Sequence, residues 1–381
     1  ALAAAQPGDN IILANGTYQD TSASSNLAFN LARSGTSGNP ITIKALNALG
    51  AVLQGNSNSV PALSVNGVDY VVVDGLRVIG GIDFHNTDYS TLKNCEITYG
   101  YLDQGEVSLY QGFLMRFSNY CLIQNNYVHD ISVPSDHDHN GGCFMVNGLA
   151  GTNTNYNIFE YNTADGGTTL CYNAFGGKGG NYNDCTWRYN LAINCIGPLV
   201  MAMGSTDGAT GVYRGKVHNN VAVNCGALFE DYRHGHDFEV YNNSFYGKTS
   251  SYVFNLQWER GAQMPSGLIF YNNLIQRGAR NYQRDCSSCG NWPGYFSYID
   301  YNQVYSVTYW AGGPGGLTST LAEWKALVSS LVSGSENGDY NSSTTSPGFV
   351  NAGGSTAADY KRSSYPTDGR GGAYPSVKGA Y

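Results

Sequence analysis

The sequence predicts an all-β solenoid, a parallel β-helix, and three observations predict it. The first is a phrase that keeps returning: two or three apolar residues, one or two polar ones, then Asn. It stands at Leu92-Lys93-Asn94-Cys95, Ile123-Gln124-Asn125-Asn126, Phe159-Glu160-Tyr161-Asn162 and Trp187-Arg188-Tyr189-Asn190. It returns at Val217-His218-Asn219-Asn220, Val240-Tyr241-Asn242-Asn243, Phe270-Tyr271-Asn272-Asn273 and Ile299-Asp300-Tyr301-Asn302. The spacing, roughly 20 to 36 residues, is that of a solenoid with loops of variable length. The second observation is the short strand after each phrase, as in Asn220-Val221-Ala222-Val223-Asn224. A coil that bends at the same point on every turn stacks its Asn side chains, whose amides then bond to each other and to the next turn. The third is composition: 49 Gly, 30 Tyr and only 13% charged residues. Gly and Asn serve tight bends, and Tyr offers a flat apolar face with a polar tip.

Three segments follow in order. Residues 1–66 form an N-terminal cap and the first strands. They open on Ala1-Leu2-Ala3-Ala4-Ala5, which reads as the last turn of a helix cut off at its start, with a signal upstream. Strands are expected at Ile11-Ile12-Leu13 and Ile41-Thr42-Ile43-Lys44, with a turn at Asn15-Gly16-Thr17-Tyr18. Residues 67–310 are the coils. Residues 311–381 are a C-terminal cap and tail with one helix, Ser319 to Val332. There Leu321, Trp324, Leu327, Val328 and Leu331 recur at helical spacing behind Ser319 or Thr320 as cap. A solenoid needs its open ends covered, and the two terminal segments are the expected covers.

The formal net charge of −8 weighs against a nucleic-acid partner, whose phosphates need a basic surface. An acidic polymer held by a local basic patch remains compatible. No run is long and apolar enough to cross a membrane, and a monomer is expected. Nine cysteines leave at least one thiol free or paired outside the chain. Cys195 and Cys225, one repeat apart, are expected to fill the coil interior. Cys286 and Cys289 suggest a small loop-stapling disulfide rather than zinc, which fits a secreted, extracellular protein. Of the sequons at Asn15, Asn242 and Asn341, Asn242 is assigned to the Asn column and so to a structural role.

Both ends resemble secreted right-handed β-helix proteins: Ala4 to Tyr18 and Asn39-Pro40-Ile41-Thr42-Ile43-Lys44-Ala45 at the start, and Ala322-Glu323-Trp324, Pro347-Gly348-Phe349-Val350 and Gly372-Ala373-Tyr374-Pro375 at the close. Within that pectate-lyase-like group, the opening motif through Lys44 is similar to the chondroitinase B and alginate lyase family of polysaccharide lyases. So is Tyr232-Arg233-His234-Gly235 followed by Tyr241-Asn242-Asn243-Ser244-Phe245-Tyr246-Gly247. The resemblance implies a right-handed parallel β-helix, β-elimination of a uronic-acid polysaccharide, and Arg233 as the catalytic arginine. The family also places two calcium-binding glutamates and a lysine base on the preceding coil. Here that coil reads Pro198-Leu199-Val200-Met201-Ala202-Met203-Gly204-Ser205, so the calcium-assisted mechanism does not carry over. Calcium stays an open cofactor, and no metal ligands are assigned.

A lyase removes the C5 proton of a uronate and expels the 4-linked sugar. The carboxylate must be neutralised, a base must take the proton, and an acid can serve the leaving oxygen. Arg233 is always charged and matches a carboxylate in two-pronged fashion. Simple alternation over Ala227 to Arg233 turns Asp231 and Arg233 outward and Tyr232 inward, and a bulge would bring Glu230 out instead. A structural ion pair between Arg233 and either acid is the competing reading. His234, His236 and Asp237 crowd the next turn, where a histidine serves as acid, base or backbone partner. Lys178, between glycines in Gly176–Gly180, is a candidate base or an exposed tip, with Arg214 and Lys216 as alternatives. The loop Asp136-His137-Asp138-His139-Asn140 is a solvated loop, a cleft wall or a metal site. Substrate contacts are expected from His139, Asp138, Asn147, Asn173, Tyr213, Arg214, Trp258 and Arg260, with Tyr172, Tyr213, Tyr232, Trp258 and Tyr271 as stacking candidates. A glycoside hydrolase would need two placed carboxylates, for which Glu230, Asp231, Asp138 and Glu259 are available. A uronate epimerase or a non-catalytic glycan-binding protein are the further alternatives.

Overall fold

The structure is a computed structural model that describes residues 2–19, 29, 31–55, 60–103, 109–131, 141–147, 152–166, 170–175, 180–204, 210–232, 234–248, 251–257, 265–285, 295–300, 302–312, 320–328, 349, 351–352 and 356–360. The chain winds as a right-handed parallel β-helix. One coil shows the pattern: Val221–Val223, Ala227–Tyr232, Gly235–His236 and Glu239–Tyr241, after which Ser244–Tyr246 begins the next turn. Eleven strands, from Asn10–Leu13 to Phe296–Asp300, stack into one sheet. Twenty strands cover the other two long facets, and four two-residue strands form a short sheet at one corner. The stacked strands pair in parallel, and the one antiparallel pairing between named strands joins Tyr101–Asp103 to Leu109–Arg116. Coil winding starts at the first strand, since Asn10–Leu13 already pairs with Ile41–Ala45.

The Asn column forms as the repeated phrase predicts. Asn126, Asn162, Asn190, Asn220, Asn243, Asn273 and Asn302 are buried in line. In each link the backbone N–H and side-chain Nδ2 of one Asn donate to Oδ1 of the next, as from Asn190 to Asn220 at 2.9 and 3.0 Å. Each Nδ2 also donates to a carbonyl one coil back, as Asn220 does to Trp187 at 2.9 Å. The ladder thus satisfies backbone groups that the bend removes from the sheets. Asn242 is not in this column: it sits at the bend itself with φ 55°, half-buried, and Asn243 carries the ladder. The phrase ends in two asparagines there, and only the second points inward.

Another corner shows what the tyrosines do. Tyr70, Tyr89, Tyr120 and Tyr156 all adopt left-handed φ of 53–57°. Their rings stack coil on coil at 5.0, 4.9 and 5.0 Å. A non-glycine residue in this region costs of order 1 kcal/mol, which stacking across successive corners offsets. The interior is filled in layers, with Phe84, Phe113, Phe144, Phe159, Trp187 and Phe229 among the fully buried side chains. Tyr172 belongs to this core and stacks on Phe144 at 4.9 Å, so it is no sugar platform. Tyr271 stacks on Tyr241 at 5.1 Å in an outer ladder.

Among the described cysteines, Cys171 and Cys195 form a disulfide. Cys225 lies buried and free beside them, so all three occupy the interior as the repeat spacing predicts for Cys195 and Cys225. Cys286 and Cys289 lie outside the described residues. The late helix spans Leu321–Val328. Thr320 Oγ1 accepts from the Glu323 N–H at 3.2 Å, and Glu323 returns a carboxylate to the Thr320 N–H at 3.1 Å, a capping box. Of the two expected caps, Thr320 is the one used. No described helix is long and apolar enough to cross a membrane.

Candidate active site

The strand Ala227–Tyr232 does not alternate simply. Leu228 and Phe229 are consecutive and both belong to the core. Their equivalents one coil back, Leu199 and Val200, behave alike, as do Cys171 and Tyr172 a coil earlier. Two inward residues in succession shift the phase by one. Asp231 therefore registers with Ala202 and Leu256 and extends the interior column of Val146 and Ala174. Glu230 registers with Met201 and Asn255 on the outer face, and Tyr232 shares that face beside Met203 and Gln257. The expectation that Asp231 faces outward and Tyr232 inward is corrected, and the bulge-like alternative that turns Glu230 to the outer face is the one adopted.

The two acids are both buried but do different things. Burial pushes the Glu230 carboxyl up to about 7, partly offset by the Asn255 amide beside it. Burial pushes Asp231 up to about 8, with the Gly235 amide opposing, the Glu230 charge adding and the Tyr295 phenol opposing. The Gly235 N–H donates to Asp231 Oδ1 at 3.1 Å. A Cβ at residue 235 would collide with that carboxylate, which explains the glycine after Arg233-His234. Asp231 thus braces the turn from inside. Pointing to opposite sides of one strand, Glu230 and Asp231 cannot flank a substrate bond as a hydrolase pair would.

The turn after the strand holds a second set of groups. His234, with φ 57°, is 2% exposed. Its Nδ1 lies 3.0 Å from the Thr210 carbonyl, which can only accept, so this nitrogen carries the proton. Its Nε2 lies 3.1 Å from the Tyr213 hydroxyl, so in the neutral ring Nε2 accepts from the phenol. Gly211 makes room: a Cβ there would strike the His234 carbonyl oxygen and lie 2.9 Å from Cγ of its ring. Tyr213 is half-buried and its phenol is held above its ordinary pKa, chiefly by burial. His236 stacks on Tyr213 at 5.1 Å and bonds Ser266 Oγ at 2.8 Å through Nδ1. Burial first, then its neighbour His234, lowers His236 to about 4, so its ring stays neutral.

The remaining candidates fall as follows. Arg214 holds Asp184 with two bonds of 2.8 and 2.7 Å at an exposed corner. Lys216 pairs with Glu239 at 3.2 Å on the sheet beyond. Asn147 is fully buried beside Arg116 in register, and Arg116 is ion-paired to Asp83 at 2.9 Å. The backbone of Asn173 registers with Met145 and Met201 on the outer column that leads to Glu230. Arg233, Lys178, Asp138, His139, Trp258 and Arg260, with the loop 136–140, lie outside the described residues. Sequence reasoning missed Asn255, Tyr295 and Thr210. Coil-to-coil register would have found Asn255, but Thr210 acts through its carbonyl and leaves no side-chain signal.

The family's calcium site has no counterpart among the described residues. Its two glutamate positions fall on the coil that carries Met201 and Met203. Among the described side chains of the outer column there, Glu230 and Asn255 are the oxygen donors, whereas calcium takes six to eight. The one described cluster of potential ligands, Cys171, Cys195 and Cys225, is internal and lacks oxygen donors.

Fold and site together define a right-handed parallel β-helix with ionisable groups gathered around the turn after Ala227–Tyr232. Residues 1–96 match the family model for chondroitinase B, which bears out the resemblance drawn from the opening motif. A search of curated proteins found no match. Among solved structures, the endo-xylogalacturonan hydrolase of Aspergillus tubingensis superposes with a TM-score of 0.54 at 11% identity, over 89% of this chain and 92% of that one. PfbA, a surface adhesin of Streptococcus pneumoniae, gives 0.52 at 11% identity, over 80% and 84%. The alginate lyase of Paenibacillus sp. str. FPU-7 gives 0.49 at 17% identity, over 77% and 94%.

Proposed function

We propose that this chain is a polysaccharide lyase that cleaves a uronic-acid-containing polysaccharide by β-elimination on the edge formed by Glu230, Tyr232 and the Tyr213–His234 pair. The observation that carries this reading is the composition of that edge. It holds a hydroxyl–imidazole pair able to move a proton, while the adjacent acids Glu230 and Asp231 point to opposite sides of their strand and so cannot serve as the two opposed carboxyls of retaining or inverting hydrolysis. Arg233, between Tyr232 and His234 in sequence, supplies the fixed positive charge that a uronate carboxylate requires. The chondroitinase B match over residues 1–96 supports the same class. The Cys171–Cys195 disulfide suits an oxidising, extracellular setting. The partner is an acidic polysaccharide.

The test is to incubate the protein with alginate, pectate, chondroitin, dermatan and neutral glucans, with and without chelator. Unsaturated uronate is followed by its ultraviolet absorbance, in parallel with reducing ends. Absorbance rising together with reducing ends on a polyuronate is expected. Reducing ends without absorbance would establish hydrolysis instead, and loss of activity with chelator would bring calcium back.

A further inference from the structure

We infer that Tyr213 is the catalytic acid and base of this chain, with His234 as the buried proton store behind it. The inference rests on the lyase reading above and answers what stands in for the missing lysine. His234 is 2% exposed and both its nitrogens are engaged, so the imidazole cannot touch a polymer. Tyr213 is the half-buried member of the same pair, and of the two side chains it is the one solvent and a polymer can reach. Burial keeps that phenol protonated at neutral pH. It can therefore accept a proton from carbon only while passing its own to a neighbour, and His234 Nε2 stands 3.1 Å away for that purpose.

The step balances without a co-reactant. The C5 proton moves to Tyr213 Oη as the phenolic proton moves to His234 Nε2. The C5–H electron pair becomes the C4–C5 double bond, and the C4–O4 pair leaves with oxygen. The imidazolium then has Nδ1–H on the Thr210 carbonyl and Nε2–H on Tyr213. Tyr213 gives its proton to O4 and recovers one from Nε2, which restores the starting state. Thr210 fixes the tautomer, and the neutral His236 ring against Tyr213 fixes the plane of the phenol. His234 is thus a positioning residue that acts through Tyr213.

Two variants test this on whichever polyuronate the wild-type chain cleaves. Tyr213→Phe keeps the ring and its stack on His236 but removes the transferred proton. Its kcat should fall about 100-fold or more, the range for a lost acid–base group, with KM within about threefold and a modest fall in thermal midpoint from the unpaired His234 Nε2. His234→Gln should lower kcat comparably. Its KM should stay within about threefold, since the imidazole acts through Tyr213 and not on the polymer. The other charged or titratable groups facing the pair, His236, Asp237 and the Asp184-bound Arg214, remain in both variants. A folded Tyr213→Phe that retains kcat within threefold overturns the inference and leaves the lyase reading standing. So does a folded His234→Gln that retains kcat within threefold. A wild-type chain that yields no unsaturated product from any polymer overturns the lyase reading itself, and this inference with it.

Discussion

Replacing Asn220 by Ala removes one rung of the buried ladder, and the structure gives the cost. Asn220 Oδ1 accepts from the Asn190 N–H at 2.9 Å and from Asn190 Nδ2 at 3.0 Å. Its Nδ2 donates to the Trp187 carbonyl at 2.9 Å and to Asn243 Oδ1 at 3.0 Å. Four bonds disappear. Asn190 Nδ2 keeps the Phe159 carbonyl, and Asn243 Oδ1 keeps the Asn220 N–H. The Asn190 N–H and one lone pair of Trp187 O are left dry. At about 0.5–1.5 kcal/mol net per bond, with about 1–3 for an orphaned buried donor, the variant should lose about 3–5 kcal/mol. Urea unfolding followed by far-ultraviolet circular dichroism measures this, with the slope on denaturant unchanged. A loss below about 1 kcal/mol would refute the view that the ladder holds the bends together.

Further outcomes follow from the site. Arg233→Ala should cut activity by about two to three orders of magnitude, as loss of a charge-stabilising group does, while moving the thermal midpoint little; a sharp fall in midpoint with activity per folded molecule preserved would make Arg233 structural. The raised Asp231 carboxyl means that the folded chain holds a proton that the unfolded chain releases at a carboxyl pKa near about 4. Its contribution to stability is therefore full below that value and lost as pH rises towards about 8. Asp231→Asn should flatten that decline between pH about 5 and 8 by at least about 2 kcal/mol, read by unfolding at the two pH values, and an unchanged decline would contradict it. Gly211→Ala drives a Cβ against the His234 carbonyl, and should cost about 1–3 kcal/mol of stability together with most of the activity; wild-type kinetics would show that the His234 seat is not tight.

The repeat made the architecture readable, because a column of identical residues at fixed bends has few other physical causes. It located the ladder from Asn126 to Asn302 but not its phase within each Asn-Asn pair, which is why Asn242 and Asn243 exchange places. The strand at Ala227 misled for a related reason. Alternation assumes a flat pleat, while this facet takes two consecutive core residues on successive coils, as at Cys171-Tyr172, Leu199-Val200 and Leu228-Phe229. The sequence carries a hint in the apolar pairs Leu199-Val200 and Leu228-Phe229, legible only once the coils are aligned. His234 and Tyr213 were both candidates from sequence. Their division of labour was not, because burial and a main-chain carbonyl decide it.

A solenoid builds such a site differently from a globular enzyme. Thr210 and Tyr213 come from one coil, Glu230 and His234 from the next, and Asn255 and Ser266 from the coil after. Parallel pairing at a spacing of about 4.8 Å brings these groups together without any long loop. It follows that each group's position depends on the rigidity of the stack rather than on local packing alone. The Asn ladder and the disulfide lie in the same coils as the site, at Asn190, Asn220, Asn243 and Cys171–Cys195. A proton relay tolerates little displacement, since a bond of 3.1 Å between Tyr213 and His234 is already near the long end of the useful range. The bends that let the chain turn are therefore also what hold its chemistry in register.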